Sequence, residues 1–141
     1  GSSGTQFGVH VGAALELYKI NDYYWGSGSD EVFVPNAGIF VAVPFGGSDT
    51  FGLRSELLFN YRSQDGYSAH SGSVNILPTF SFGAFGLEVG LEYDSETELM
   101  ALGGVRGNFS DSFSAGIRYE YGIERDWYSI DAINLGISYD F

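Results

Sequence analysis

Polar and apolar residues alternate along much of this chain, most cleanly in the stretch "GLRSELLFNYR", residues 52–62. Leu53, Leu57 and Phe59 fall on one side of an extended chain, whereas Arg54 and Glu56 fall on the other. A period of two residues is that of a β-strand with two different faces. The stretch therefore predicts a strand, but the period alone does not tell which face lies inside the protein.

The same alternation occurs in other segments, at residues 6–18, 32–43, 73–82, 85–93, 98–109, 113–122 and 133–141. Glycine recurs too often along the chain for stable helices. Short turns at residues 46–50, 83–84 and 110–112 alternate with longer polar connections, of which residues 19–31 and 63–72 are predicted as loops. Eight strands joined in this way predict an all-β fold, an antiparallel up-and-down barrel, because closure leaves no unpaired edge.

The polar faces of neighbouring strands match across the turn at residues 83–84. If Phe82 pairs with Phe85, the polar positions of both strands share one face of the sheet, as a hairpin requires. Pro35 and Pro78 lie inside predicted strands and cannot donate ladder hydrogen bonds. We therefore expect a bulge or a local break at each proline.

Charge and glycine occupy the same face of the predicted strands, and this combination indicates which face lies inside. Gly38, Gly90 and Gly116 share that face with arginines and glutamates, and so does His10, which is predicted as a hydrogen-bonded core residue. The interior of an eight-stranded barrel is just wide enough for side chains to fill, so long charged chains beside glycines pack there. The predicted interior charge network comprises Glu16, Arg54, Glu56, Arg62, Glu88, Glu92, Glu98, Arg106, Arg118 and Glu120.

Aromatic residues mark both ends of the predicted barrel. Phenylalanines bracket the short turns, and tyrosines and tryptophans gather at the other end. The second belt is predicted from Tyr18, Tyr23, Tyr24, Trp25, Tyr61, Tyr93, Tyr121, Trp127 and Tyr128. Two belts separated by strands of about ten residues are typical of a barrel that crosses a bilayer, with its apolar face towards lipid. A soluble ligand-binding barrel is the alternative, which solubility without detergent would identify.

Composition narrows the function classes. The chain has 141 residues, no cysteine and a formal net charge of −12, so we expect one domain, no thiolate metal site and no nucleic-acid partner. Residues 1–5 are expected to be a flexible start or a cloning remnant, and residues 6–141 the transmembrane barrel. No signal peptide is recognisable, so an exported chain would be a mature form. No cofactor is expected.

The C-terminal sequence "INLGISYDF" ends in an aromatic residue preceded by apolar residues at alternate positions. These residues are Ile133, Leu135, Ile137, Tyr139 and Phe141. With the strand count and the alternation of short and long connections, the chain resembles the small eight-stranded outer-membrane β-barrels of Gram-negative bacteria, of the OmpA-domain and OmpX/Ail type. The resemblance implies an assembly signal read by the outer-membrane assembly machinery, periplasmic termini, extracellular long loops and a bilayer containing lipopolysaccharide. A natural and a designed barrel would share these features.

The interior charges and the long loops are the two candidate locations for activity. The charges could form a proton or ion path, but eight strands leave no aqueous channel, so a structural plug is predicted. Loops on a rigid scaffold concentrate binding residues. The residues predicted to bind a partner, such as an extracellular protein, are Tyr23, Tyr24, Trp25, Tyr67 and His70. The predicted role is therefore structural or surface-binding.

A lipid-modifying enzyme, such as a lipid A acyl hydrolase, is the alternative function. His70, Ser71, Ser73 and Asp65 could supply a base, a nucleophile and an acid, but their spacing is no recognised signature, so no catalytic residue is predicted. Acidic residues expected in loops could bind divalent cations, but they lack the spacing of a known calcium motif. These acids are Asp22, Asp30, Glu31, Asp65, Asp94, Glu96, Glu124 and Asp126, and no metal site is predicted from them.

Overall fold

The computed structural model describes residues 5–22, 26–45, 50–64, 67–95, 98–123 and 128–141. The strands are β1 (Gln6–Asp22), β2 (Gly26–Pro44), β3 (Phe51–Gln64), β4 (Tyr67–Phe82), β5 (Phe85–Asp94), β6 (Glu98–Asn108), β7 (Phe113–Gly122) and β8 (Tyr128–Asp140). Within these ranges no helix is long and apolar enough to cross a membrane. We call the end of the molecule that holds the 83–84 turn the turn end, and the opposite end the hairpin end.

The strands form a closed barrel in which each pairs antiparallel with its neighbours in sequence and β8 pairs with β1. The pairs can be followed once around the barrel, starting at Phe7. They return to β1 at Leu17, ten residues further along the strand. This offset tilts the strands and, with eight of them, gives an interior that side chains fill. The predicted fold class is confirmed.

The outer face of the wall is apolar and the inner face carries charge. Val89 and Leu57 point outwards and are 59% and 55% exposed, whereas Arg118 and Glu56 point inwards and are 3% and 2% exposed. The polar side of residues 52–62 therefore faces the interior. This is the reverse of a soluble barrel, which would expose its charges and bury its apolar side chains.

Aromatic side chains ring the turn end as predicted. The exposed phenylalanines there are Phe7, Phe45, Phe51, Phe82, Phe85, Phe109, Phe113 and Phe141. At the hairpin end, Tyr61, Tyr93 and Tyr121 are exposed. The prediction for Tyr18 is wrong, because its hydroxyl donates to Glu16 Oε1 at 2.7 Å on the inner face. The remaining predicted members lie outside the described side chains: Tyr23, Tyr24, Trp25, Trp127 and Tyr128.

Two hairpins, β1–β2 and β3–β4, are much taller than the rest of the barrel. Their strands have 17, 19, 14 and 16 residues, whereas β5, β6, β7 and β8 have 10, 11, 10 and 13. The loops predicted at residues 19–31 and 63–72 are therefore wrong over most of their length. Glycine and serine favour turns locally, but each hairpin arm supplies the ladder bonds of the other, so pairing continues beyond the apolar pattern.

Both internal prolines produce the expected breaks, without a bulge. The β2–β3 ladder ends one residue after Pro35, so residues 26–35 pair with β1 alone. At Pro78 the β4–β5 pairing is interrupted for two positions and resumes in the same register. Phe82 pairs with Phe85, as predicted, across a turn in which Gly83 adopts a φ of 66°. Glycine adopts that left-handed conformation without steric cost.

The interior is filled by apolar as well as charged side chains. The buried apolar residues are Ala14, Val32, Val34, Phe40, Leu58, Leu77, Met100, Leu102, Ile130 and Ala132. They occupy inward positions between charged ones, so the inner face is less uniformly polar than the sequence pattern indicates. The barrel is thus a packed structure whose charges must find partners among a small number of neighbours.

Candidate functional site

Five charged side chains form one hydrogen-bonded cluster towards the turn end of the interior. This turn-end network comprises Arg54, Glu56, Glu88, Arg106 and Arg118. Arg118 donates from Nη1 and Nη2 to Glu56 Oε1 and Oε2 at 2.5 and 2.6 Å, and from Nε to Glu88 Oε1 at 2.6 Å. Arg54 Nε donates to Glu56 Oε2 at 2.6 Å. The network therefore ties β3, β5, β6 and β7 together across the barrel.

Ser138 on β8 links two arginines of this network. Its Oγ accepts from Arg54 Nη2 at 2.6 Å and from Arg106 Nη1 at 3.1 Å, and it lies 2.8 Å from His10 Nδ1. His10 is 2% exposed, in the inward position predicted for it. Arg106 reaches Glu88 only at 3.3–3.4 Å. Two guanidinium groups are thus held side by side on one hydroxyl group.

A second cluster, the hairpin-end network, consists of Glu16, Arg62, Asp94 and Ser71. Arg62 donates from Nε and Nη2 to Glu16 Oε1 and Oε2 at 2.8 and 2.9 Å, and from Nη2 to Asp94 Oδ2 at 3.2 Å. Its Nη1 donates to Ser71 Oγ. The prediction of Asp94 as a loop acid is wrong, because it ends β5 with only 1% exposure and pairs with Arg62.

Glu92 and Glu120 lie between the two networks, in a layer that holds two carboxylates. They are 5% and 3% exposed, and Asn134 Nδ2 donates to Glu120 Oε1 at 3.3 Å. Neither glutamate forms an ion pair with a residue that the structure describes. Of the ten predicted network residues, nine therefore face the interior, and the side chain of Glu98 lies outside the described set.

Of the five predicted binding residues, His70 has a described side chain. Four of them are outside the described side chains, namely Tyr23, Tyr24, Trp25 and Tyr67. His70 lies on the outer face of β4, with its ring 5.3 Å from that of Phe59 and 5.2 Å from that of Tyr61. The outer face of the β3–β4 hairpin therefore carries an aromatic patch of Phe59, Tyr61 and His70.

The residues weighed for lipid hydrolysis do not come together. His70 is exposed on the outer face, whereas Ser71 and Ser73 are 4% and 1% exposed on the inner face. The wall of the barrel separates the histidine from the serines, because neighbouring residues of a strand point to opposite sides. Asp65 lies outside the described residues. Among the described residues, no group of three or more histidines, aspartates or glutamates is arranged to hold a metal ion.

The C-terminal strand presents its alternating residues on the outer face. Ile133, Leu135, Ile137, Tyr139 and Phe141 are all exposed. The Phe141 backbone N–H donates to the Phe7 carbonyl oxygen at 2.9 Å, and the Tyr139 ring lies 4.9 Å from that of Phe113. The predicted assembly signal is thus an ordered apolar stripe beside β1 and β7.

Sequence reasoning missed the residues that connect the charges. The alternation makes Ser138 one polar position of the last strand, and Ser71 falls in the predicted 63–72 loop. Both are inward-facing hydroxyl groups that receive hydrogen bonds from arginines. Extending the alternation two residues back from residue 73 places Ser71 inside, but no sequence signal shows which arginine donates to it.

Comparison with known proteins concerns the fold. No protein-family model matches the sequence, and no curated protein is significantly similar to it. The structure is similar to that of Ail, the attachment invasion locus protein of Yersinia pestis, in complex with the heparin analogue sucrose octasulfate. The TM-score is 0.63 and the identity 17%, over 98% of this chain and 99% of that chain.

Two further structures have the same architecture. A de novo designed transmembrane β-barrel matches with a TM-score of 0.56 and 14% identity over 95% of each chain. Neisserial surface protein A matches with a TM-score of 0.54 and 16% identity, over 98% of this chain and 99% of that chain. The predicted resemblance to small outer-membrane β-barrels is therefore confirmed at the level of the fold.

Proposed function

We propose that this chain is an integral protein of a bacterial outer membrane whose tall hairpins bind a partner outside the cell. The proposal rests on the difference in length between the strands of the tall hairpins and the other strands. A transmembrane β-strand needs about 9–11 residues, and β5 and β7 have 10 each, whereas β2 has 19 and β4 has 16. Four neighbouring strands are therefore longer than a bilayer crossing requires, and their additional residues extend beyond the bilayer at the hairpin end.

The proposed orientation places both termini in the periplasm and the hairpins outside the cell, in a bilayer that contains lipopolysaccharide. The apolar outer face supports insertion in a bilayer, because the wall exposes large side chains such as Val89 and Phe59 and keeps all four described arginines inside. The packed interior supports a plug without an open pore. Folding should therefore need detergent or lipid, and a folded monodisperse monomer in plain buffer would contradict the proposal.

The charge distribution indicates the kind of partner. The comparison structure of Ail contains a heparin analogue, and recognition of such a polyanion needs exposed cations. Here the sequence has 6 cationic side chains, and four of them face the interior. Lys19 is exposed and Arg125 lies outside the described residues. We therefore propose a protein partner, contacted through aromatic side chains such as those of Tyr61 and His70, over a polysulfated glycan.

The test replaces residues 19–31 and 63–72 with short Gly-Ser turns. We expect a barrel that still folds and shifts its gel position on heating, because the strands within the bilayer remain intact. Capture of extracellular proteins on cells that display the barrel should be lost. A Gly-Ser replacement of the 110–112 turn is the matched control and should keep capture. Full capture by the shortened barrel would assign binding to the wall or the short turns.

The exposed C-terminal stripe supports recognition by the outer-membrane assembly machinery. Removing Phe141 takes away one hydrogen bond to Phe7 and a ring that is 84% exposed. We expect the truncated chain to refold in detergent like the full chain but to reach the membrane of cells in much smaller amounts. Equal amounts of both chains in the membrane would contradict a role of Phe141 in the assembly signal.

A further inference from the structure

The turn end of the interior contains a cavity of about 140 Å³ beside the turn-end network. Its wall includes Arg54, Arg106 and Glu88, and its polar rim includes Thr79, Ser81 and Asn108. Ser81 and Asn108 are exposed, so the cavity opens towards solvent at the turn end. The space is enough for several water molecules or for one small ion with part of its hydration shell.

Two guanidinium groups face this cavity with their positive charges close together. Both donate to the same Ser138 hydroxyl oxygen, Arg54 at 2.6 Å and Arg106 at 3.1 Å. Like charges at such a separation repel each other unless an anion lies between them or beside them. The Arg54 side chain is also fixed from one side, because its Cζ lies 3.8 Å from the centre of the Phe40 ring.

The glutamates of the network neutralise this pair only in part. The network contains three arginines and two glutamates. Arg118 takes short contacts to both glutamates, at 2.5–2.6 Å, and it shares Glu56 with Arg54, whose Nε lies 2.6 Å from Glu56 Oε2. Arg106 is left with contacts of 3.3–3.4 Å to Glu88. Asp140 at the end of β8 lies on the same side of the barrel, but among the described residues it forms no ion pair with either arginine. The excess positive charge therefore lies at the cavity.

Arg54 also has donor capacity that the protein does not use. Its Nε and Nη2 are occupied by Glu56 and Ser138, whereas Nη1 makes no hydrogen bond to a residue that the structure describes. The residue is only 5% exposed, so a free donor is available to something inside the barrel. A fixed guanidinium with a free N–H group, beside a second guanidinium, is the arrangement that binds tetrahedral oxyanions.

We propose that this cavity binds a small oxyanion of the phosphate or sulfate class between Arg54 and Arg106. The anion enters from the turn end and neutralises the excess charge of the network. It accepts hydrogen bonds from Arg54 Nη1 and from the guanidinium of Arg106, with Thr79 as a further donor at the rim. The site is independent of the tall hairpins, which lie at the other end of the barrel.

The test titrates the full chain, folded in a zwitterionic detergent, with inorganic phosphate and with sulfate at constant ionic strength. Binding is measured by calorimetry and by the unfolding temperature. We expect saturable binding and a higher unfolding temperature. Arg106→Gln should weaken binding by about tenfold or more, because it removes one of two charged donors. Ala42→Leu should also weaken it, because it fills the cavity while leaving every charge in place.

Lys19→Gln is the control, because it removes one positive charge from the outer face, away from the cavity. It should bind phosphate like the original chain. Absence of saturable binding by the original chain would overturn the proposal, and so would undiminished binding by both the Arg106→Gln and the Ala42→Leu barrels. A phosphate monoester with a bulky substituent distinguishes a site for the free ion from a site for the phosphate end group of a larger molecule. A site for an end group would bind the monoester and inorganic phosphate equally, whereas a site for the free ion would bind inorganic phosphate more tightly.

Discussion

Glu56 accepts four hydrogen bonds inside the barrel. Its carboxylate accepts hydrogen bonds from Arg54, from both terminal nitrogens of Arg118 and from Asn75 at 2.9 Å. A buried charge that loses its partner costs far more than the pair itself contributes. Each contact of Glu56 therefore matters mainly because its absence would leave an arginine unpaired.

Glu56→Gln should lower the free energy of unfolding by about 3–5 kcal/mol, because it leaves two arginines without their shared counter-ion. Denaturant titration of the barrel in lipid vesicles measures the change. Glu31→Gln on the exposed outer face of β2 is the control and should stay within about 0.5 kcal/mol of the original chain. An effect of Glu56→Gln as small as that of the control would mean that the turn-end network contributes little to stability.

Glu92→Gln should have the opposite effect. Glu92 is 5% exposed and lies in the same layer as Glu120, with no ion pair to a described residue. Removing its charge relieves repulsion and desolvation, so the free energy of unfolding should be unchanged or higher by about 1 kcal/mol. The same vesicle titration measures it. A loss comparable to that of Glu56→Gln would reveal a partner of Glu92 beyond the described side chains.

At the scale of the strand, glycine sets how closely two backbones approach. A Cβ at Gly90 of β5 would lie 1.9 Å from the Ile76 carbonyl oxygen of β4, next to the break at Pro78. A Cβ at Gly103 of β6 would meet nothing within 4 Å. The two glycines therefore differ in what they tolerate.

Gly90→Ala should destabilise the barrel by about 2–3 kcal/mol, because the added Cβ would clash with the Ile76 carbonyl oxygen, a backbone atom that cannot change rotamer to avoid it. Gly103→Ala should change stability by less than about 0.5 kcal/mol. Refolding yield in detergent and the temperature of the gel shift measure both. If Gly90→Ala refolds like Gly103→Ala, the β4–β5 backbones must separate more easily at the Pro78 break than the ladder on either side implies.

The strands and their faces were predictable because a period of two residues is a local property. The ends of the tall hairpins were not, because residues such as Gly26 and Ser68 have a low strand propensity and become strand only by pairing. Asp94 follows the last apolar residue of its segment and therefore resembles a loop acid. No sequence pattern predicts the ion pairs, since Arg118 and Glu56 are 62 residues apart in the sequence and meet across the barrel.

For the whole molecule, the packed interior predicts that the barrel does not conduct. The two ion networks and the apolar side chains between them fill the space that a channel would need. Planar-bilayer recordings should show no steady conductance in the range of general porins. Brief, rare openings would be compatible with a plug held by side chains. A large and reproducible steady conductance would contradict it.

The seam between β1 and β8 makes the first and last strands neighbours at the turn end, where the Phe141 N–H donates to the Phe7 carbonyl oxygen at 2.9 Å. The ring of strands therefore has no preferred starting point, and the chain lends itself to circular permutation. A short linker between the ends and a new opening at a short turn would keep every strand pair. The strands before those turns end near Phe45, Phe82 and Phe109, so each permuted chain would again finish on an outward phenylalanine. Such permutants would distinguish the strand pairs that folding requires from the C-terminal residues that the assembly machinery recognises.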